Sequence, residues 1–337
     1  MIWIYSGFIG FILLLLALDL GVFHRKAHVV EMKEALSWSA FWILLGLAFS
    51  VFVYYGYENR WMGLGTAVDA VDGGTNDGRE ALLKYLTGYV IEKSLSVDNV
   101  FVIAMIFGFF AVPAQYQHRV LFWGILGALV MRGVMIAAGA RLVAEFDWIL
   151  YFFGGFLILT AVKMLTLKAG ETDLEKLVVI RLARRFLPIS SRYHGQRFVV
   201  PAAAEPEGNA GGSRGWMFTP LALSLLLVET TDLVFAVDSI PAIFAITADP
   251  FLVFTSNVFA ILGLRALYFA LAGMIGKFRY LKVSLAVVLM MVGGKMLAAP
   301  WLKSVFGKNF SLYLLAAIFL VLAAGIAVSL LRPAERR

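Results

Sequence analysis

Nine apolar runs separated by polar stretches organise this chain: 2–23, 36–57, 80–111, 119–141, 149–167, 217–247, 253–275, 281–298 and 311–331. About 20 mostly apolar residues suffice for a spanning helix. The pattern predicts an all-α polytopic membrane protein with about nine transmembrane helices. The first run lacks a basic start and a small-residue cleavage site, so it is read as a retained span. The chain then divides into two N-terminal spans (1–57), an extracytoplasmic loop (58–79), three spans (80–167), a cytoplasmic loop (168–216), three more spans (217–298) and a final span with its tail (299–337).

Lys and Arg are distributed unevenly between these runs. The side receiving 24–35, 112–119, 168–216, 276–282 and the tail after 331 collects 18, against 5 on the other side. Positive charge marks the cytoplasmic face, so the N-terminus is expected outside and the C-terminus in the cytoplasm.

The polar residues inside the runs repeat. Glu92 and Asp98 recur as Asp232 and Asp238, Arg132 as Arg265, and Lys163-Met-Leu as Lys295-Met-Leu, each lysine with a Gly-Gly pair upstream. Spans three to five therefore resemble spans six to eight. Three spans is an odd number, so the second copy enters the membrane from the opposite side. An inverted three-helix repeat places substrate near the midplane between its halves.

Composition agrees with this reading. Of 337 residues, 61% are hydrophobic and only 15% charged, where a soluble chain carries about 25% charged residues. The net charge of +7 reflects basic loops rather than nucleic-acid binding. No cysteine is present, which removes disulfides, thiolate metal sites and thiol redox chemistry. The four histidines fall in expected loops, leaving no imidazole at mid-membrane. No nucleophile, base and oxyanion-hole arrangement is legible, so no enzyme is expected.

The acids carry the functional signal, because each costs roughly 2.5–3.5 kcal/mol at mid-membrane on insertion scales. Glu92, Asp98, Glu229, Asp232 and Asp238, with Asn99 beside them, form the expected metal site, and Asp19 of the first span is a further candidate. Lys93, Arg132, Lys163, Arg265 and Lys295 are read as counter-charges or gate locks. On straight helices the acids do not share one face, so breaks are expected. Pro241 frees the carbonyl of Val237 beside Asp238, and Gly88 weakens the other long segment. The competing reading is internal salt bridging, since six deep acids face five deep bases.

Carboxylate, amide and hydroxyl oxygens suit hard ions such as Mg²⁺, Ca²⁺ and Mn²⁺. Crowded carboxylates in a low dielectric favour taking up protons when empty, which would couple export to the proton gradient. Outside the membrane, the Gly/Asp-rich loop 58–79 reads as a solvated turn or a cation-attracting mouth. Residues 172–187 read as an amphipathic helix opened by Thr172 and Glu175, with Arg181, Arg184 and Arg185 toward anionic headgroups. Residues 201–215 read as disordered.

The segments EKSLSVDNVFV (92–102), VETTDLVFAVDSIPAIFAIT (228–247) and DLGVFHRKAH (19–28) resemble the TerC family of integral membrane proteins, with its Alx branch, in the LysE transporter superfamily. The resemblance implies nine spans in a bacterial inner (cytoplasmic) membrane, manganese export, an older association with tellurite resistance, and alkaline induction of some members. It is the resemblance, not the spacing, that narrows a hard divalent cation to Mn²⁺ as transported ion, with no prosthetic group. Rival readings are an exporter of amino acids or other small organic solutes, and a non-transporting membrane protein, either a redox modulator, against which the lack of cysteine counts, or a partner that supports metalation of exported proteins. A translocase contact or a homo-oligomer is a further partner expectation.

Overall fold

The computed structural model describes residues 2–18, 31–146, 148–166, 178–202, 215–271, 280–298, 302 and 310–331. Eleven helices are described: α1 (Ile2–Leu18), α2 (Met32–Glu58), α3 (Gly78–Phe109), α4 (Ala114–Glu145), α5 (Trp148–Thr166), α6 (Val178–Phe186), α7 (Pro220–Phe244), α8 (Pro250–Leu262), α9 (Leu264–Leu271), α10 (Leu281–Leu297) and α11 (Phe310–Leu331). Two small hairpins join them, β1 (Val68–Asp69) with β2 (Gly74–Thr75) and β3 (Val199–Pro201) with β4 (Trp216–Phe218). Among the described residues, six stretches are long and apolar enough to cross a membrane: α2, α4, α5, α7, the α8–α9 pair and α11. Large apolar side chains such as Leu44, Val130, Leu159 and Leu320 are exposed on these helices. A lipid environment satisfies such faces, because helices meet their backbone hydrogen bonds internally. The molecule is an all-α multi-pass membrane protein.

Local signals set the helix starts. Asp77 caps α3 by accepting from the amide of Glu80 at 2.7 Å. Thr219 precedes Pro220 at the start of α7, and Asp249 precedes Pro250 at the start of α8, accepting from the Phe251 and Leu252 amides. A short polar cap followed by proline satisfies orphan amides and pre-sets the backbone for the first turn. The run expected from 217 thus opens as strand β4, and the helix begins at Pro220. Likewise Val199–Pro201, partly inside the stretch expected to be disordered, is strand β3. Residues 203–214 of that stretch, with Thr172 and Glu175, lie outside the described residues.

The expected breaks are not where the helices bend. α7 runs through Pro241 to Phe244, because the proline stands in the last turn and removes only one ladder bond. α3 is continuous past Gly88 for 32 residues, roughly 48 Å at 1.5 Å per residue. Gly88 instead lets α8 approach: a Cβ there would lie 3.0 Å from Ser256 Oγ. The interruption lies at Gly263, between α8 and α9, within the run expected to be one span.

α3 is the axis of the bundle, packing against α2, α7, α8, α9, α10 and α11. α7 lies against α4 as α3 lies against α8. α5 and α10 pack through Gly154 and Gly293. A Cβ at Gly154 would meet the Gly293 carbonyl at 3.1 Å, and one at Gly293 the Gly154 carbonyl at 2.8 Å. Small residues at such crossings let backbones touch.

The 58–79 loop is largely exposed, as a solvated turn would be, and is anchored at Asp69. Asp69, 2% exposed, accepts from Lys84 Nζ at 2.9 Å, from the Ala248 amide at 2.8 Å, from the Val71 amide at 3.0 Å and from the Thr247 hydroxyl. Lys84 also pairs with Asp72. Burial pushes the Asp69 carboxyl up, but the Lys84 ammonium and the Thr247 and Ala248 donors outweigh it and hold it below the usual carboxylate range. At Asp249, burial wins and raises the carboxyl.

Lys84→Met strands the buried Asp69 charge. Breaking such a pair costs roughly 3–5 kcal/mol, so thermal unfolding in detergent should shift down clearly. Since Asp69 is held below its unfolded value, its contribution is full above about pH 4 and is lost as pH falls through the folded value. The gap between Lys84→Met and wild type in that unfolding assay should therefore shrink in strong acid.

Candidate functional site

The centre of the bundle is organised by one guanidinium. Arg132 of α4 is 2% exposed and reaches into the space between α3, α7 and α8. Its Nε and Nη2 donate to the two oxygens of Asp232 on α7, at 3.2 and 2.9 Å. Its Nη1 bonds Glu92 Oε1 on α3. The same nitrogen lies 3.5 Å from Ser239 Oγ and 3.4 Å from Asn257 Oδ1 of α8. A bidentate, charge-assisted fork is the strongest form of such pairing. Glu92 stands roughly 21 Å along α3 and Asp232 roughly 18 Å along α7, so both lie near the middle of their helices. Two carboxylates face one guanidinium, which leaves one formal negative charge.

That charge is incompletely satisfied. Among the described residues, Glu92 Oε2, Asn257 Nδ2 and Glu229 Oε2 are buried without a hydrogen-bond partner. Beside Asp232 lies a cavity of about 20 Å³ with mostly apolar walls, among them Ile103, Leu121 and Phe235, to which Asn99, Thr231 and Asp232 add the polar groups. That is room for one water-sized occupant. Glu229, one helical turn before Asp232, lays its carboxylate against Gly127 of α4 with Asp232 as its charged neighbour. A Cβ at Gly127 would fall 2.0 Å from Glu229 Oε1, so only glycine leaves the acid its place.

The structure thus brings together Glu92, Asp232 and Arg132, with Asn99 and Glu229 nearby. It does not bring Asp98 or Asp238 to the same point. Asp98 has Lys282 of α10 as its charged neighbour, and Asp238 accepts from Thr160 of α5 at 3.4 Å with Lys163 near it. The other bases are spread out. Lys93 donates to the Ala260 carbonyl at the end of α8 at 3.1 Å, Lys295 to the Ala245 carbonyl at the end of α7 at 2.9 Å, and Lys163 is exposed. Arg265 does not repeat Arg132. It lies 2.9 Å from Nε2 of His118, which is inside the first turns of α4 and not in a loop as expected. Asp19, with His24 and His28, lies outside the described residues.

Internal salt bridging is therefore realised at this place. Among the described residues, no three acidic or histidine side chains converge as a metal cluster. What converges is two carboxylates, a guanidinium between them, and the neutral oxygens of Asn99, Thr231, Ser239 and Asn257. Asn257 was missed in the sequence, although Thr255-Ser256-Asn257 is a polar triplet within an apolar run and so a readable signal.

The model for the "Integral membrane protein TerC family" matches residues 77–337. The chain is 47% identical over 329 residues to "Uncharacterized membrane protein STKORF319" of Myxococcus xanthus, covering 98% of this chain and 92% of that protein. It is 44% identical over 296 residues to "Putative membrane-bound redox modulator Alx" of Escherichia coli (strain K12), covering 87% and 85%. It is 41% identical over 281 residues to "Uncharacterized membrane protein" of Rickettsia felis, covering 83% of each. No solved structure matches.

Because Glu92 and Asp232 share one guanidinium, their removal should be non-additive. In detergent unfolding, Glu92→Gln with Asp232→Asn should show a coupling of about 0.5–3 kcal/mol. Asp98→Asn with Asp238→Asn, on separate partners, should add within about 0.5 kcal/mol.

Proposed function

This chain belongs to the integral membrane protein TerC family, and we propose that it is a transporter, not an enzyme, exporting a hard divalent cation with Mn²⁺ as cargo. The observation that carries this reading is the pair of mid-helix carboxylates, Glu92 and Asp232, left with an excess negative charge, with a small and mostly apolar cavity at Asp232 to which Asn99 and Thr231 add polar groups. A dication is a better match to two carboxylates than a single guanidinium is. Carboxylate, amide and hydroxyl oxygens favour hard ions, and the choice of Mn²⁺ comes from the family resemblance.

The reading includes nine spans with an inverted repeat, set in a bacterial inner membrane with the N-terminus outside and the C-terminus in the cytoplasm. The reciprocal contact of Gly154 with Gly293, at corresponding places in the two copies, supports the repeat, because a two-fold relation pairs equivalent residues both ways. So does the likeness of the α3–α8 and α7–α4 packings. In this orientation the small cavity lies on the cytoplasmic side of Arg132, and the anchored Asp69 hairpin closes the outer end. An ion from the cytoplasm would meet Asn99, Thr231 and Asp232 first. Asp98, Asp238 and Glu229 serve as secondary acids along the route, and protons are the counter-ion. Helix α6 exposes Arg181, Arg185, Leu182 and Phe186, a composition suited to anionic headgroups. The printed name of the Escherichia coli relative speaks of redox modulation; any such role in this chain would proceed without cysteine thiols.

Cells that lack other manganese exporters should hold less Mn²⁺ when they express the wild-type chain. Glu92→Gln and Asp232→Asn should abolish that difference, and a proton ionophore should suppress it. Elemental analysis of washed cells measures all four conditions. Equal manganese with and without the wild-type chain would refute the proposal.

A further inference from the structure

We propose that Arg132 is a tethered stand-in for the cargo: its guanidinium occupies the two carboxylates when no ion is bound, and so lets the empty carrier return. The inference rests on the transport reading above and adds a role for one residue. Four observations carry it. The guanidinium lies between the two acids that the repeat makes equivalent, Glu92 and Asp232, bridging α3 and α7. Among the described contacts, Arg265, the corresponding residue of the second copy, lies against His118. One negative charge remains, so the guanidinium matches the site less well than a dication and can be displaced by one. A resting place exists alongside: Ser239 Oγ and Asn257 Oδ1 lie 3.5 and 3.4 Å from Nη1, at the long limit of hydrogen bonding, ready to shorten if the carboxylates let go.

A pair of bare, buried carboxylates at mid-membrane resists movement of the helices that hold them, because the charge is costly away from a partner. A carrier with a built-in cation avoids this in both halves of its cycle. With cargo bound, the ion neutralises Glu92 and Asp232 and Arg132 rests on the neutral oxygens. After release, Arg132 returns and a proton, the counter-ion of the transport reading, takes up the remaining negative charge, so α3 and α7 move as a compensated pair. Guanidinium and proton together replace the dication on one pair of acids.

The full-length protein in proteoliposomes separates the two half-cycles. Net Mn²⁺ flux into an Mn²⁺-free lumen needs the empty carrier to return, whereas exchange of Mn²⁺ across the membrane does not. Arg132→Gln should lower net flux about tenfold or more while exchange stays close to wild type. Mn²⁺ binding in detergent should tighten, because a competitor has gone. Arg132→Lys keeps the charge without the fork, and should bind Mn²⁺ more tightly than wild type with intermediate net flux. This second variant decides the matter if Arg132→Gln does not fold. Unimpaired net flux in Arg132→Gln, or weaker Mn²⁺ binding in both variants, would overturn the proposal and leave Arg132 a structural residue. A wild-type protein that neither binds nor moves Mn²⁺ would overturn the transport reading as well.

Discussion

Three charged groups from three different helices share one buried space at the centre of this protein. Desolvating each ion costs several kcal/mol, and the arrangement survives because each charge finds opposite charge at hydrogen-bond distance. The constraint reaches outward. α3 must present Glu92, α7 must present Asp232, and α4 must bring Arg132 between them, so the register of all three helices is fixed by a few ångströms of side-chain reach. Sliding α7 by one residue would turn Asp232 by 100° and separate it from the guanidinium.

Glycines make that reach attainable. Gly127 gives Glu229 its place on α4, and Gly88 lets α8 lie against α3 so that Asn257 comes close to Arg132. Gly154 and Gly293 hold α5 and α10 at backbone contact. Away from the centre, caps and anchors take over. Asp77, Thr219 and Asp249 start their helices, and Asp69 ties the outer hairpin to Lys84 and to the turn between α7 and α8. The protein has an apolar exterior around a mostly apolar interior in which a few charges are buried.

Much of this could be read from the chain. Apolar run length located most of the helices, and the buried acids and bases announced themselves by their cost. Glu92, Asp232 and Arg132 are all among the residues that pattern singled out. Their pairing was not legible, because partner choice is a tertiary fact: 40 residues separate Glu92 from Arg132 and 100 separate Arg132 from Asp232. The break was misplaced for a local reason. Proline interrupts a helix only where turns remain to be interrupted, and Pro241 has almost none. Gly263 carries no such flag, and its interruption depends on what packs against it. Asn257 was overlooked because the triplet Thr255-Ser256-Asn257 carries no charge and so has no large insertion cost to mark it.

On the proposed transport reading, the interruption at Gly263 bears on ion discrimination. Broken helices in membranes commonly offer bare carbonyl oxygens to a passing ion. Here the Ala260 carbonyl is already engaged by the ammonium of Lys93, and a side chain at position 263 would lie 2.6 Å from that nitrogen. This backbone oxygen is thereby withdrawn from the coordination sphere of any ion at Glu92 and Asp232. Choice between ions of equal charge then falls to flexible carboxylate and amide arms, which tolerate a range of radii better than a rigid carbonyl ring would.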